Sequence, residues 1–183
     1  MIAITGGAQG IGLATAKMLV AKGARVSIGD LDEDALKKAE EEIKSLGKGD
    51  QVRVQQLNVA DSSSVTEWIE NTVEWAGQKL DGACNVAGTT GKWKTDNTLA
   101  TTPDEQWNMI VAVNFTGMFN SLRAELNNIK DGGSIVCVSS VQGTIGFANS
   151  ATYSATKHGV LGLMKSAAKE NGHRNVRVNA ITP

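Results

Sequence analysis

The 183 residues carry 18 basic and 19 acidic side chains, a formal net charge of −1, and that balance gives no support to nucleic-acid binding or a polybasic membrane contact. Glycine numbers 20 against 2 prolines, which suits tight turns within regular structure rather than disorder. Length near the ~150-residue prior suits a single domain over residues 1–183, with no apolar run of membrane-spanning length.

Taken in order, residues 1–5 read as a first strand with no leader before it, followed by a glycine-rich turn and the helical pattern Ile11, Ala14, Ala16, Met18, Leu19 that stops at Gly23. Residues 25–29 are a second strand with Asp30 at its end, and an amphipathic helix over 33–46 ends at Gly47. A third strand spans 52–57. Ser64 and Glu67 have capping-box spacing before a helix that runs to about Ala76. A short strand at 83–86 leads into a polar loop over 89–101. Thr102 as N-cap, Pro103 at the first helical position and Glu105 as the third-position acid then open one long helix toward Leu126. Residues 134–139 are the fifth strand, 153–171 a helix with Gly172 as its C-cap, and 176–181 the sixth strand. Cys84 and Cys137 sit in apolar stretches without ligand-like spacing, so two buried reduced thiols, no metal and a cytoplasmic setting are expected.

Six continuous apolar strands alternating with helices predict a doubly wound parallel α/β sheet of order 3-2-1-4-5-6, with its ligand crevice at the strands' C-terminal ends. The unusual residues gather there. Gly6, Gly10 and Gly12, in the spacing G-x-x-x-G-x-G, let the backbone turn sharply and approach a pyrophosphate at a helix N-terminus. Asp30 is placed to accept hydrogen bonds from an adenosine ribose. With Asp32 beside it and no nearby Arg or Lys for a 2′-phosphate, it favours NAD over NADP. Tyr153 and Lys157 are four residues apart in a helical segment, hence on one face. A free phenol titrates near ~10, and a unit charge ~4 Å away in an effective dielectric of ~20 is worth about 4 kcal/mol, enough to make a base at neutral pH.

These motifs, in the order Thr5-Gly6…Gly10…Gly12, Asn85-Val86-Ala87-Gly88, Asn114, Ser139-Ser140, Tyr153…Lys157 and Arg177-Val178-Asn179, resemble the short-chain dehydrogenase/reductase family from Ile2 to Pro183. The resemblance implies an oxidoreductase moving a hydride between NAD(H) and a secondary alcohol or ketone. Tyr153 would be the general acid/base and Lys157 its activator and a ribose contact. Ser140, weighted over its neighbour Ser139, would bond the substrate oxygen. Asn114 would distort its helix and hold a water linking Lys157 to solvent. Implied cofactor contacts are Gly6, Gln9, Gly10, Ile11, Gly12, Asp30, Asn58, Val59, Asn85, Ala87, Gly88, Tyr153, Lys157 and Pro183. The helices near 104–126 and 153–171 would form a homodimer.

Three departures stand out. Asn58-Val59 occupies the place of an acid followed by an apolar residue at the adenine edge, and Val86 replaces an Asn. Relatives also continue past Pro183 into a nicotinamide-binding threonine, a substrate lid, another helix and a seventh strand. The chain is therefore expected to be a C-terminally truncated form lacking that lid, with a non-catalytic dinucleotide-binding or dimerising subunit as the alternative function. Trp93, Ile145 and Phe147, within 89–96 and 142–150, point to a partly apolar small-molecule substrate.

Overall fold

The structure, a computed structural model, describes residues 1–46, 49–91 and 98–183. Gly47 and Trp93 therefore lie outside the described residues. Strands β1 (Ile2–Thr5), β2 (Val26–Asp30), β3 (Val52–Gln56), β4 (Leu80–Asn85), β5 (Ile129–Val138) and β6 (Arg177–Ile181) form one sheet in the order β3-β2-β1-β4-β5-β6. Every neighbouring pair is parallel. Helices α1 (Gly10–Ala21), α2 (Glu33–Lys44), α3 (Ser62–Ala76), α4 (Asp104–Val111), α5 (Gly117–Asn128) and α6 (Ala151–Glu170) cover it.

Alternation along the strands splits the core in two. Ile4, Val26 and Ile28 pack with Ala16 and Val20 of α1 and Leu36, Ala39 and Ile43 of α2. Ala3, Ala83, Ile135 and Cys137 point the other way, toward Trp68 and Ile69 of α3, Leu122 of α5 and Val160 of α6. Trp68 is fully buried, and its indole N–H is satisfied by Ser27 Oγ at 3.1 Å. Losing such a side chain costs ~3–5 kcal/mol.

Several helix ends differ from the sequence expectation, each for a local reason. α3 is capped by Asp61, whose carboxylate accepts from Ser63 N–H at 2.9 Å. Ser64 Oγ instead accepts from Asn58 N–H at 3.2 Å, so an Asx cap has outcompeted the capping box. α4 begins at Asp104 with Pro103 as its cap and no side-chain bond, because the Thr102 hydroxyl donates to Thr98 O at 2.9 Å. α6 is capped by Asn171, and Gly172 opens a short 3-10 turn that ends at left-handed Asn175, φ 56°. Cys137 is buried as expected, while Cys84 is only half-buried. Burial pushes their thiols up, to about 12 and about 11.

The expected long helix to Leu126 is interrupted. Residues Ala112–Thr116 form a π-helical turn closed by Gly117 N–H on Ala112 O, and Asn114 sits at its centre. α6 accommodates the widened turn at Gly159, where a Cβ would lie 2.6 Å from the Phe115 ring. The chain therefore lays Asn114 beside α6 at the level of the β4 end.

Candidate active site

The strand order reverses between β1 and β4, and two adjoining cavities open at the C-terminal ends there. The larger, of about 460 Å³, is lined by Gly6, Gln9, Ile11, Asp30, Leu31, Leu57, Asn58, Val59, Ala87, Gly88, Met109 and Val113 among others. The smaller, of about 290 Å³, is lined by Ile11, Gly88, Thr89, Thr90, Ser139, Ser140, Tyr153, Lys157 and Pro183 among others. Ile11, Val86, Gly88 and Thr89 belong to both, so the two form one continuous trough.

The glycine turn makes the larger cavity possible. Gly6 takes φ 64°, and a Cβ on it would lie 2.7 Å from the Ala87 Cα and N, so the β1 turn and the segment after β4 touch backbone to backbone. Gly12 does not line the cavity. It lies beneath it, where a Cβ would meet Gly6 O at 2.1 Å. Gln9 caps α1 without a side-chain hydrogen bond and the first turn holds no acid, so the helix's unpaired N–H groups and positive end remain open to an anion. Gly10, at φ 54°, completes the turn without lining either cavity. Gly12→Ala is expected to lower stability by ~1–3 kcal/mol, because the groups it would strike, Gly6 O and Gly7 Cα, are backbone. Gly162→Ala, where a Cβ meets open space in mid-helix, should be neutral or stabilising. Thermal unfolding of the two variants checks the contrast.

Asp30 Oδ2 accepts from Ala8 N–H at 3.1 Å and Oδ1 from Asp32 N–H at 3.3 Å. Each oxygen keeps lone pairs for ligand hydroxyls. No Lys or Arg is among the residues lining the larger cavity. Asn58 uses its side-chain carbonyl on Ala60 N–H at 3.1 Å, while Leu57, Val59, Met109 and Val113 supply apolar wall. Met109 and Val113 were not singled out from sequence, although their spacing of four on one helix face is the signal that unites them.

At the other end, α6 presents Tyr153 and Lys157 from one face into the smaller cavity. Lys157 is 3% exposed, its Nζ donates to Val138 O at 2.9 Å and lies 5.5 Å from the centre of the Tyr153 ring. Burial holds its ammonium down to about 8, partly offset by Cys137. The Tyr153 hydroxyl has no hydrogen-bond partner among the described residues. Ser140 Oγ donates to Pro183 O and accepts from Gln142 N–H, both at 3.3 Å. Its neighbour Ser139 is spent on structure, donating to Lys157 O at 2.8 Å and so tying α6 to β5.

Asn114 lines neither of these cavities and acts through Thr89. Its Oδ1 accepts from Thr89 N–H at 2.7 Å, and its Nδ2 donates to Thr89 O at 2.8 Å and Thr156 Oγ1 at 3.3 Å. Asn85 is likewise buried behind the trough rather than in it. Ile145 and Phe147 stand 52% and 46% exposed.

A doubly wound sheet with an open helix N-terminus at one end of a trough and a phenol–ammonium pair at the other defines a dinucleotide-binding domain of the dehydrogenase kind. The chain belongs to the short-chain dehydrogenase family, whose family model matches residues 1–183. Members of this family bind nicotinamide dinucleotides. It is 48% identical to the short-chain dehydrogenase/reductase ABA4 of Pyricularia oryzae over 98% of this chain and 66% of that protein. It thus spans a little under two thirds of the length of that relative. The crystal structure of levodione reductase superposes with a TM-score of 0.93 at 33% identity, covering 100% of this chain and 70% of that one. That of NAD+-bound xylitol dehydrogenase gives 0.91 at 29% identity, covering 100% and 68%. No helix among the described residues is long and apolar enough to cross a membrane.

Proposed function

We propose that the chain belongs to an oxidoreductase that interconverts a secondary alcohol and a ketone with NAD(H), and that Tyr153 is its general acid/base. The observation that carries this reading is the unpartnered Tyr153 hydroxyl beside buried Lys157, in a cavity continuous with the glycine turn. The residues present fit a dinucleotide, with the α1 N-terminus for its diphosphate, Asp30 for the adenosine hydroxyls and the Leu57, Val59 and Val113 wall for the base. When bound, the nicotinamide supplies or takes the hydride.

The chain's own part is positioning and proton management. Tyr153 Oη gives a proton to the carbonyl oxygen in reduction and takes it back in oxidation. Ser140 Oγ, by exchanging its Pro183 O contact, donates to the same oxygen and holds it in place. Lys157 stabilises the phenolate by its charge and binds ribose hydroxyls with the N–H groups not given to Val138 O. Asn114 fixes Thr89 at the junction of the two cavities, and beside Gly88 its Oδ1 and Lys157 Nζ flank the position where a proton-relaying water would sit. Ile145 and Phe147 are exposed between β5 and α6 without lining either cavity, and a partly apolar substrate would reach them only beyond the trough.

NAD is favoured over NADP because a 2′-phosphate would face Asp30 with no cation lining the cavity. Asp30→Ala is expected to weaken NADH roughly ten- to hundredfold, since a hydrogen bond to a charged group is worth ~1.5–3 kcal/mol. The preference for NADH over NADPH should shrink by at least as much. Parallel fluorescence titrations with the two cofactors check this, and an unchanged preference would remove Asp30 from the role.

A homodimer through α4, α5 and α6 is part of the same proposal. Trp107, Phe115 and Phe119 are 37 to 45% exposed along the first two helices and the π turn between them. Light scattering of the eluted protein tests it, and a clean monomer would contradict it.

A further inference from the structure

One buried ionisable side chain has no part in the chemistry above. Glu125, on α5, has none of its surface exposed. Its Oε2 accepts from Asn85 Nδ2 at 2.8 Å, and its Oε1 is buried without a hydrogen-bond partner among the described residues. Asn85 passes the contact on, its Oδ1 accepting from Thr5 Oγ1 at 3.4 Å. The Thr5 hydroxyl oxygen in turn accepts from Ala87 N–H at 3.3 Å. Thr5 and Asn85 are in register on neighbouring strands, so this string is set by the sheet itself. It ends on the backbone that a Gly6 Cβ would strike, which is the floor of the larger cavity.

A carboxylate at this position would have one N–H for a full buried charge, a poorly compensated arrangement. The groups around it offer no relief. Cys84 of β4 and Cys137 of β5 are neutral thiols, and Lys157 of α6 is committed to Val138 O. On α6, Lys165, Lys169 and Glu170 are exposed. Glu67, Glu70 and Glu74 of α3 are exposed, as is Arg123 of α5, which donates to Ser62 Oγ. Burial pushes the Glu125 carboxyl up to about 8. With the folded value raised above the unfolded one, its stabilising contribution is full below about 4.5 and is lost as pH rises through about 8.

We propose that neutral Glu125 is a positioning residue for the dinucleotide site, holding Asn85 and through it the Thr5–Ala87 floor, and that ionisation, by leaving a charged Oε1 without a partner, draws the side chain from this place and loosens cofactor binding. The inference rests on the dinucleotide reading above. Its test is an NADH fluorescence titration of the full chain from about pH 6.5 to about pH 9, for wild type, Glu125→Gln and Glu125→Leu, with thermal unfolding at each pH. Glu125→Gln mimics the neutral acid and leaves Lys157 and every other titrating group in place. The ratio of wild-type to Glu125→Gln dissociation constants is expected to grow from about 1 at the acid end to about 10 at the alkaline end. Glu125→Leu, which strips Asn85 Nδ2 of its acceptor, should bind NADH more weakly than wild type even at the acid end, and Gln should restore the affinity. A ratio that stays constant with pH overturns the proposal, as does a folded Glu125→Leu chain that binds like wild type. If wild type fails to bind NADH at any pH while the Glu125-dependent fall in thermal stability is present, the dinucleotide reading itself is wrong and this inference falls with it.

Discussion

Replacing Tyr153 with Phe is expected to lower turnover by ~10²–10⁴-fold while leaving NADH affinity within about twofold of wild type. The substitution keeps the ring and its place over the smaller cavity, and removes only Oη. That hydroxyl bonds to nothing within the described residues, so the fold loses no hydrogen bond with it. The glycine turn, Asp30 and the apolar wall belong to the larger cavity and are untouched. A loss confined to turnover is the signature of a group that acts on the reacting oxygen. A variant that turned over at the wild-type rate would show that the proton comes from elsewhere.

Lys157→Met should damage both binding and turnover, because one ammonium is assigned both tasks. A lost charge-assisted bond to the ribose is worth ~1.5–3 kcal/mol, roughly ten- to hundredfold in NADH affinity. Turnover falls further because the phenolate loses its neighbouring charge. The same variant has a readout that needs no ligand. The folded Lys157 value is lowered from 10.5 to about 8 by burial. Between those values the unfolded chain holds the extra proton, so the Lys157 contribution to stability rises with pH across the window, by on the order of 3 kcal/mol, while the buried Cys84 and Cys137 thiols lower stability above about 9 in wild type and variant alike. Below about 8 the burial cost is present in full. Met carries no proton, so in thermal unfolding measured across that range the stability of wild type relative to Lys157→Met should rise with pH by that amount. NADH affinity undiminished in Lys157→Met would remove the ribose contact from the account.

Much of this was legible in the chain. Strand order followed from the alternation of apolar strands with helices, since parallel strands need crossovers and those crossovers have one hand. Tyr153 and Lys157 share a face by spacing alone, and Gly6, Gly10 and Gly12 advertise a turn that needs positive φ at Gly6 and Gly10 and has no room for a side chain at Gly6 and Gly12. What was not legible depends on choices between near-equal local partners. Asp61 and Ser64 both offer a cap for α3, and the winner is the one whose carboxylate meets Ser63 N–H while Ser64 serves Asn58. Asn114 was expected to distort its helix, but the five-residue π turn and the clamp on Thr89 depend on Phe115 finding room at Gly159, 44 residues on. Glu125 could not be read at all. In sequence it is one acid in a helix of mixed character, and only the packing of α5 on β4 reveals that its surface is fully buried and its one partner is Asn85.

The central claim is that this chain moves a hydride between NAD(H) and a small carbonyl or alcohol through Tyr153. It is tested most directly by mixing the 183-residue chain with NADH and a panel of ketones, and following NADH consumption and alcohol formation together. At least one ketone is expected to be reduced mole for mole with NADH oxidised, with Tyr153→Phe slowing the reaction ~10²–10⁴-fold under the same conditions. Saturable NADH binding with no NADH consumed on any ketone would contradict it, and would leave a dinucleotide-binding chain without the proposed catalysis.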